Sequence, residues 1–107
     1  MSTKINISPA PLDVMTRSAA EAEAVLKLLA NRHRLLILCN LVKGQLTVGE
    51  LNDALGLSQS ALSQHLAKMR DQGLIVGERD GQNIRYRIAD PKVEALLNTL
   101  YLMYCHS

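Results

Sequence analysis

"GLSQSALSQHLAKMRDQGL", Gly56 to Leu74, gathers three serines and the glutamines Gln59 and Gln64 around a leucine stripe. Placed on a wheel at about 100° per residue, Leu62, Leu66 and Met69 share one side. Ser60, Ser63, Gln64 and Lys68 spread over the other, and Gln59 projects from the first turn. A helix that needed only solubility would carry Glu and Lys there. Carboxamides and hydroxyls instead suit base edges: Gln pairs bidentately with adenine, and Ser donates to or accepts from several bases. Short side chains also permit close approach, and the free N–H groups of the first turn can hold a phosphate. Ser58 is the expected cap, with Leu57 and Leu62 positioned as a hydrophobic staple. Gly73 is the expected stop. A plain solvated face has the same composition, so the neighbouring segments decide.

Upstream, "TVGELNDALG" opens with a capping box, Thr47 followed three residues later by Glu50, and closes at Gly56. Downstream, "LIVGERDGQNIRYRIA" alternates apolar and polar residues on either side of Asp80-Gly81, the pattern of a β-hairpin. Two short helices joined by "GLS" and followed by a charged hairpin predict a winged helix-turn-helix. A helix in the major groove and a wing on the flanking backbone would use both unusual features together. The predicted DNA-binding set is Ser58, Gln59, Ser60, Ser63, Gln64, His65 and Lys68 on the helix, with Arg79, Arg85 and Arg87 on the wing. Arg85 and Arg87 should share a face that Tyr86 does not.

The outer segments complete a mainly α chain. Residues 1–11, with "SPAP", read as a flexible tail, and 12–107 as one domain. From Leu12 to Ala30, Met15, Ala19, Ala22, Val25, Leu26 and Leu29 form one stripe. Asn31 is a break and cap before a helix expected over Arg32–Lys43. Asp90-Pro91 starts a last helix whose apolar face carries Val93, Leu96, Leu97, Leu100 and Tyr104.

The chain has 107 residues and no Phe or Trp, so its core must come from aliphatic residues and a few tyrosines. A domain of this size gains from sharing core with a second copy. The net charge of +2 permits a polyanionic partner without requiring one. No run of about 18 apolar residues or secretory leader is visible, so a cytoplasmic protein without a membrane partner is expected. No cofactor or enzymatic centre is indicated. Ser60 and Ser63 beside His65 lack the third member of a triad. A winged helix that binds protein instead of DNA remains open, separable by salt-sensitive binding to palindromic DNA.

The stretch "LLANRHRLLILCNLVKGQLTVGELNDALGLSQSALSQHLAKMRDQGLIVGERDGQNIRYRI", Leu28 to Ile88, resembles the ArsR/SmtB family of bacterial winged-helix repressors. The resemblance implies a homodimer through the first and last helices, binding to imperfect palindromic operator DNA, and release by an inducer.

Metal-sensing members carry a CxC pair where this chain has Thr47 and Gly49, or an Asp-x-His and a later His-x-x-Glu on the last helix. Here Asp90 is followed by Lys92, and Met103 and His106 stand at the later pair. These fragments supply too few ligands for a closed site, and no metal site is expected. His33 and His65 are read as lying on different helices without a partner. The two cysteines, Cys39 and Cys105, read alone as small buried hydrophobes. In context they resemble the thiol-sensing subgroup, which includes sulfide-responsive and biofilm-growth repressors and the haemolysin regulator of vibrios. That resemblance implies release of DNA when Cys39 and Cys105 form a di- or polysulfide bridge in response to reactive sulfur species or oxidants. The alternative is a metal- or haem-responsive repressor of the same fold, with both thiols and His106 as soft ligands. Cys105 falls near a helix C-terminus, where the dipole disfavours a thiolate; a neighbouring cation such as Arg34 or His106 would offset that, and the sequence does not place either.

Overall fold

A computed structural model describes residues 10–105. The expected tail therefore lies outside the described residues except at its end, as does His106. The order is α1 (Leu12–Leu29), α2 (Arg32–Leu41), β1 (Leu46–Thr47), α3 (Val48–Leu55), α4 (Gln59–Asp71), β2 (Ile75–Asp80), β3 (Asn83–Ile88) and α5 (Pro91–Tyr104). This is a winged helix-turn-helix, with one element more than expected. The hairpin is part of a three-stranded antiparallel sheet in the order β1-β3-β2, in which Leu46 pairs with Tyr86 and Thr47 with Arg85. Helix α2 stops at Leu41, two residues before the expected Lys43, because the chain must turn there to enter β1.

Local chemistry accounts for the boundaries. Asn31 Oδ1 accepts from the backbone N–H groups of His33 and Arg34 and starts α2. The capping box of α3 is complete, with Glu50 N–H donating to Thr47 Oγ1 at 3.1 Å and Thr47 N–H to Glu50 Oε1 at 2.9 Å. Gly56 ends α3 at φ 65°, a left-handed conformation that side-chain-bearing residues rarely adopt. Ser58 Oγ accepts from Ala61 N–H at the start of α4. Its end is a Schellman turn, with Gly73 N–H on the Arg70 carbonyl and Leu74 N–H on that of Met69. Asp90 caps α5 through Lys92 N–H. That use of Asp90 explains its presence without any metal.

The core joins Ile37 and Leu38 of α2, Leu51 of α3, Leu62, Leu66 and Met69 of α4, Ile75 and Tyr86 of the sheet, and Val93 and Leu97 of α5. The apolar stripe of α4 is thus consumed inside, which fixes its polar face outward. At the wing's base the Tyr86 ring lies over Gly77. A Cβ on Gly77 would stand 2.9 Å from Ile84 Cγ2 and 3.0 Å from Tyr86 Cε1. Ile84 can move, but the buried Tyr86 cannot without opening the core. Gly77→Ala should therefore lose about 1–3 kcal/mol, lowering the melting temperature by at least ~4 °C. An unchanged melting curve by circular dichroism would show that the ring shifts freely.

Candidate nucleic-acid interface and thiol site

Ser58, Gln59, Ser60, Ser63, Gln64 and Lys68 are all exposed along one side of α4. Ser58 is committed to its cap. Among the described residues, no side-chain hydrogen bond or ion pair engages Gln59, Ser60, Ser63, Gln64 or Lys68. The face singled out in the sequence is therefore a row of unoccupied donors and acceptors, ending in a cation at Lys68. It is chemically fitted to an edge of stacked bases.

His65 departs from that row. Its ring packs against His33 of α2, with centroids 5.7 Å apart and planes tilted by 39°. The two histidines, read from the sequence as lacking a ligand partner in register, are thus neighbours, because the α2 N-terminus passes beside the middle of α4. Burial lowers the His65 pKa below the ordinary imidazole value, with Arg34, His33 and Lys68 adding to the effect. The neutral imidazole is thereby favoured over the charged one.

The wing carries its arginines as anticipated in direction but not in freedom. Tyr86 is buried, while Arg85 and Arg87 point away from the core. Arg85 Nε donates to Asp80 Oδ2 at 2.7 Å, and its Nη1 lies 3.6 Å from Glu50 Oε1. Arg87 Nε donates to Glu78 Oε1 at 2.8 Å. Arg79 is exposed, and among the described residues it makes no ion pair. The strand register, Glu78 opposite Arg85 and Val76 opposite Arg87, puts each pair on a same-face diagonal. The hairpin pattern alone could have revealed them. Such half-exposed pairs are worth about 0–1 kcal/mol, so a phosphate can displace the carboxylates.

The Arg85→Ala, Arg87→Ala double variant tests whether it does. If both contact phosphate, the slope of log K against log salt should fall by about 1.8, roughly 0.9 for each contact. An unchanged slope would make the wing idle.

The two cysteines lie at a second place. Both are free thiols, Cys39 half-buried and Cys105 exposed. They line one cavity of about 570 Å³ together with Leu35, Leu36, Leu100 and Tyr104. The α1–α2 junction at Ala30 and Asn31, one side of α2 and the end of α5 form this cavity. Burial pushes the Cys39 thiol above its ordinary pKa, and the proximity of Cys105 raises it further. Arg34 is not the cation beside these thiols, since its Nε donates to the Leu28 carbonyl at 2.6 Å and holds the end of α1 to α2. The charged residue in the cavity lining is Arg32. Among the described residues no group of three or more His, Cys, Asp or Glu side chains comes together to hold a metal ion.

A helix-turn-helix with an open polar recognition face and a basic wing defines a DNA-binding transcription regulator, and the similarity to known proteins agrees. The model of the bacterial regulatory protein arsR family matches residues 31–76. The chain is 42% identical over 100 residues to the transcriptional activator HlyU of Vibrio cholerae serotype O1, spanning 94% of this chain and 93% of that one. A structure of reduced HlyU from Vibrio cholerae covers 88% of this chain and 99% of its own, with a TM-score of 0.84 and 44% identity. The HTH-type regulator YgaV of Escherichia coli is 51% identical over 89 residues, covering 82% of this chain and 90% of its own. The biofilm growth-associated repressor of Agrobacterium fabrum is 37% identical over 101 residues, covering 94% and 86%. The chain belongs to the ArsR family of bacterial transcription regulators, which are not enzymes. Among the described residues, no helix is long and apolar enough to cross a membrane.

Proposed function

We propose that this protein is a homodimeric repressor that binds a palindromic operator through α4 and releases it when Cys39 and Cys105 become linked. One observation carries the switch: two free thiols, 66 positions apart in the chain, open into a single cavity.

The thiols differ in a way that orders the chemistry. Cys105 is exposed, whereas Cys39 is half-buried and held protonated. Cys105 therefore attacks the sulfur donor first, and Cys39 resolves the adduct. With a persulfide RSSH, the Cys105 thiolate bonds the outer sulfur, which keeps its proton, and the broken S–S bond releases RS⁻. Attack by Cys39 on the resulting Cys105 persulfide would expel hydrosulfide and leave a disulfide, and further sulfur transfer before closure would leave a longer bridge. A bridge ties α2 to the end of α5. Helix α2 packs on α3, and the last helix belongs to the expected dimer interface, so the link can alter the spacing of the two α4 helices.

Dimeric α4 helices should enter major grooves about 34 Å apart. Selection from random duplexes should return a palindrome with that half-site spacing. Gln64→Ala should then lose about 1–3 kcal/mol on the selected duplex and little on scrambled DNA. Equal losses on both, measured by fluorescence anisotropy, would remove base reading from Gln64. In transcription with purified polymerase, operator occupancy should lower transcript yield, and a rise would make the protein an activator.

A further inference from the structure

We propose that the Cys39–Cys105 cavity is a binding site for the organic body of the inducer, and that it selects apolar organic trisulfides and persulfides over glutathione-based ones. The inference rests on the thiol-switch reading and names the ligand class that switch would take.

The cavity is larger than sulfur delivery alone requires. A short inorganic polysulfide needs only access to a thiol, and exposed Cys105 provides that without a cavity. A volume of about 570 Å³ lies within the ~300–1,000 Å³ range of small-molecule sites. Its wall is made by Leu35, Leu36, Leu100 and Tyr104, and among the described residues no carboxylate side chain lines it. Leu36 and Tyr104 are exposed in spite of being large and apolar, so an alkyl or aryl group seated there removes their surface from water. Glutathione would bring two carboxylates and an ammonium group against this wall, where among the described residues Arg32 is the only charged partner.

The chemistry balances with an organic trisulfide, RS–S–SR. The Cys105 thiolate bonds an outer sulfur, giving Cys105–S–S–R, and RSS⁻ leaves with the electron pair of the broken S–S bond. Arg32 provides the positive charge in the lining that favours this anion. Cys39 gives up its proton to solvent, and its thiolate then bonds the Cys105 sulfur and expels RS⁻. Two thiolates have been oxidised to one disulfide, and the trisulfide has been reduced to RSS⁻ and RS⁻.

The test compares dipropyl trisulfide with glutathione trisulfide, at equal concentration, on the full chain. Bridge formation is followed by intact-mass spectrometry and DNA release by anisotropy. Dipropyl trisulfide should bridge at least about tenfold faster, and its rate should saturate with concentration. Leu36→Glu, at a partly exposed position, should bring the two rates within about twofold. Tyr104→Ser should shift the ratio the same way and guards against misfolding of the first variant. If wild-type protein bridges equally fast with both reagents and releases DNA, the thiol switch stands and the ligand site is wrong. If neither reagent produces a Cys39–Cys105 bridge, both proposals fall.

Discussion

Cys39→Ser and Cys105→Ser proteins should bind operator as tightly as wild type when reduced, and should stay bound after persulfide treatment that strips wild type from DNA. Neither cysteine lies on the α4 face or the wing, so reduced affinity has no reason to change. Bridging requires both sulfurs. A single thiol can only carry an adduct, which leaves α2 and α5 unlinked. The expected effect is large because occupancy must pass from about 99:1 to 1:99, a change of roughly 10⁴ in equilibrium constant, or about 5.5 kcal/mol. The variants should also differ from each other. With Cys105 present and Cys39 replaced, a persulfide adduct should accumulate on exposed Cys105. With only half-buried Cys39 left, modification should be slower, because burial keeps more of it as thiol at neutral pH. Anisotropy and intact mass read both outcomes together. Either single variant leaving DNA at the wild-type dose would refute the two-cysteine switch.

What the sequence displayed was local. Caps at Asn31, Thr47, Ser58 and Asp90 lie within three residues of the N–H groups they satisfy, so their signatures are contiguous. The leucine stripe of α4 is likewise readable, and with it the outward placement of Ser60, Ser63 and Gln64. Strand β1 is only two residues long, too short for any periodicity, and forms only because β3 lies beside it. The His33–His65 contact depends on how α2 crosses α4, which no spacing encodes. The thiol cavity draws on residues 30–39 and 100–105. Resemblance to a family suggested that its two cysteines work together, but nothing in their immediate surroundings announced the apolar wall between them.

The largest expected structural effect belongs to α1. Leu26→Glu should convert a dimer into a folded monomer and weaken operator binding at least about 100-fold. Helix α1 runs for 18 residues, and Leu29 is its one buried side chain. Most helical stability in proteins comes from packing an apolar face, and α1 buries almost none of its own, so it needs a packing partner beyond its own chain. The molecule is correspondingly extended, with a radius of gyration of 16.1 Å against about 13 Å for a compact chain of this size. Exposed apolar residues cluster on the two helices expected at the interface: Leu26 is 54% exposed on α1, and Leu102 and Met103 are 62% and 65% exposed on α5. Leu26 and Val25 also line a groove of about 470 Å³ against Val93 and Leu96 of α5. In a two-fold dimer each substitution acts twice. Losing two buried leucine side chains removes about 3–6 kcal/mol, before the cost of placing two carboxylates there. The helix-turn-helix core does not use Leu26, so circular dichroism should show a folded chain and sedimentation a monomer. Each monomer would still offer one α4 to one half-site. The loss should therefore appear on the full palindrome and vanish on an isolated half-site. A Leu26→Glu protein that sediments as a dimer with full operator affinity would place the interface elsewhere.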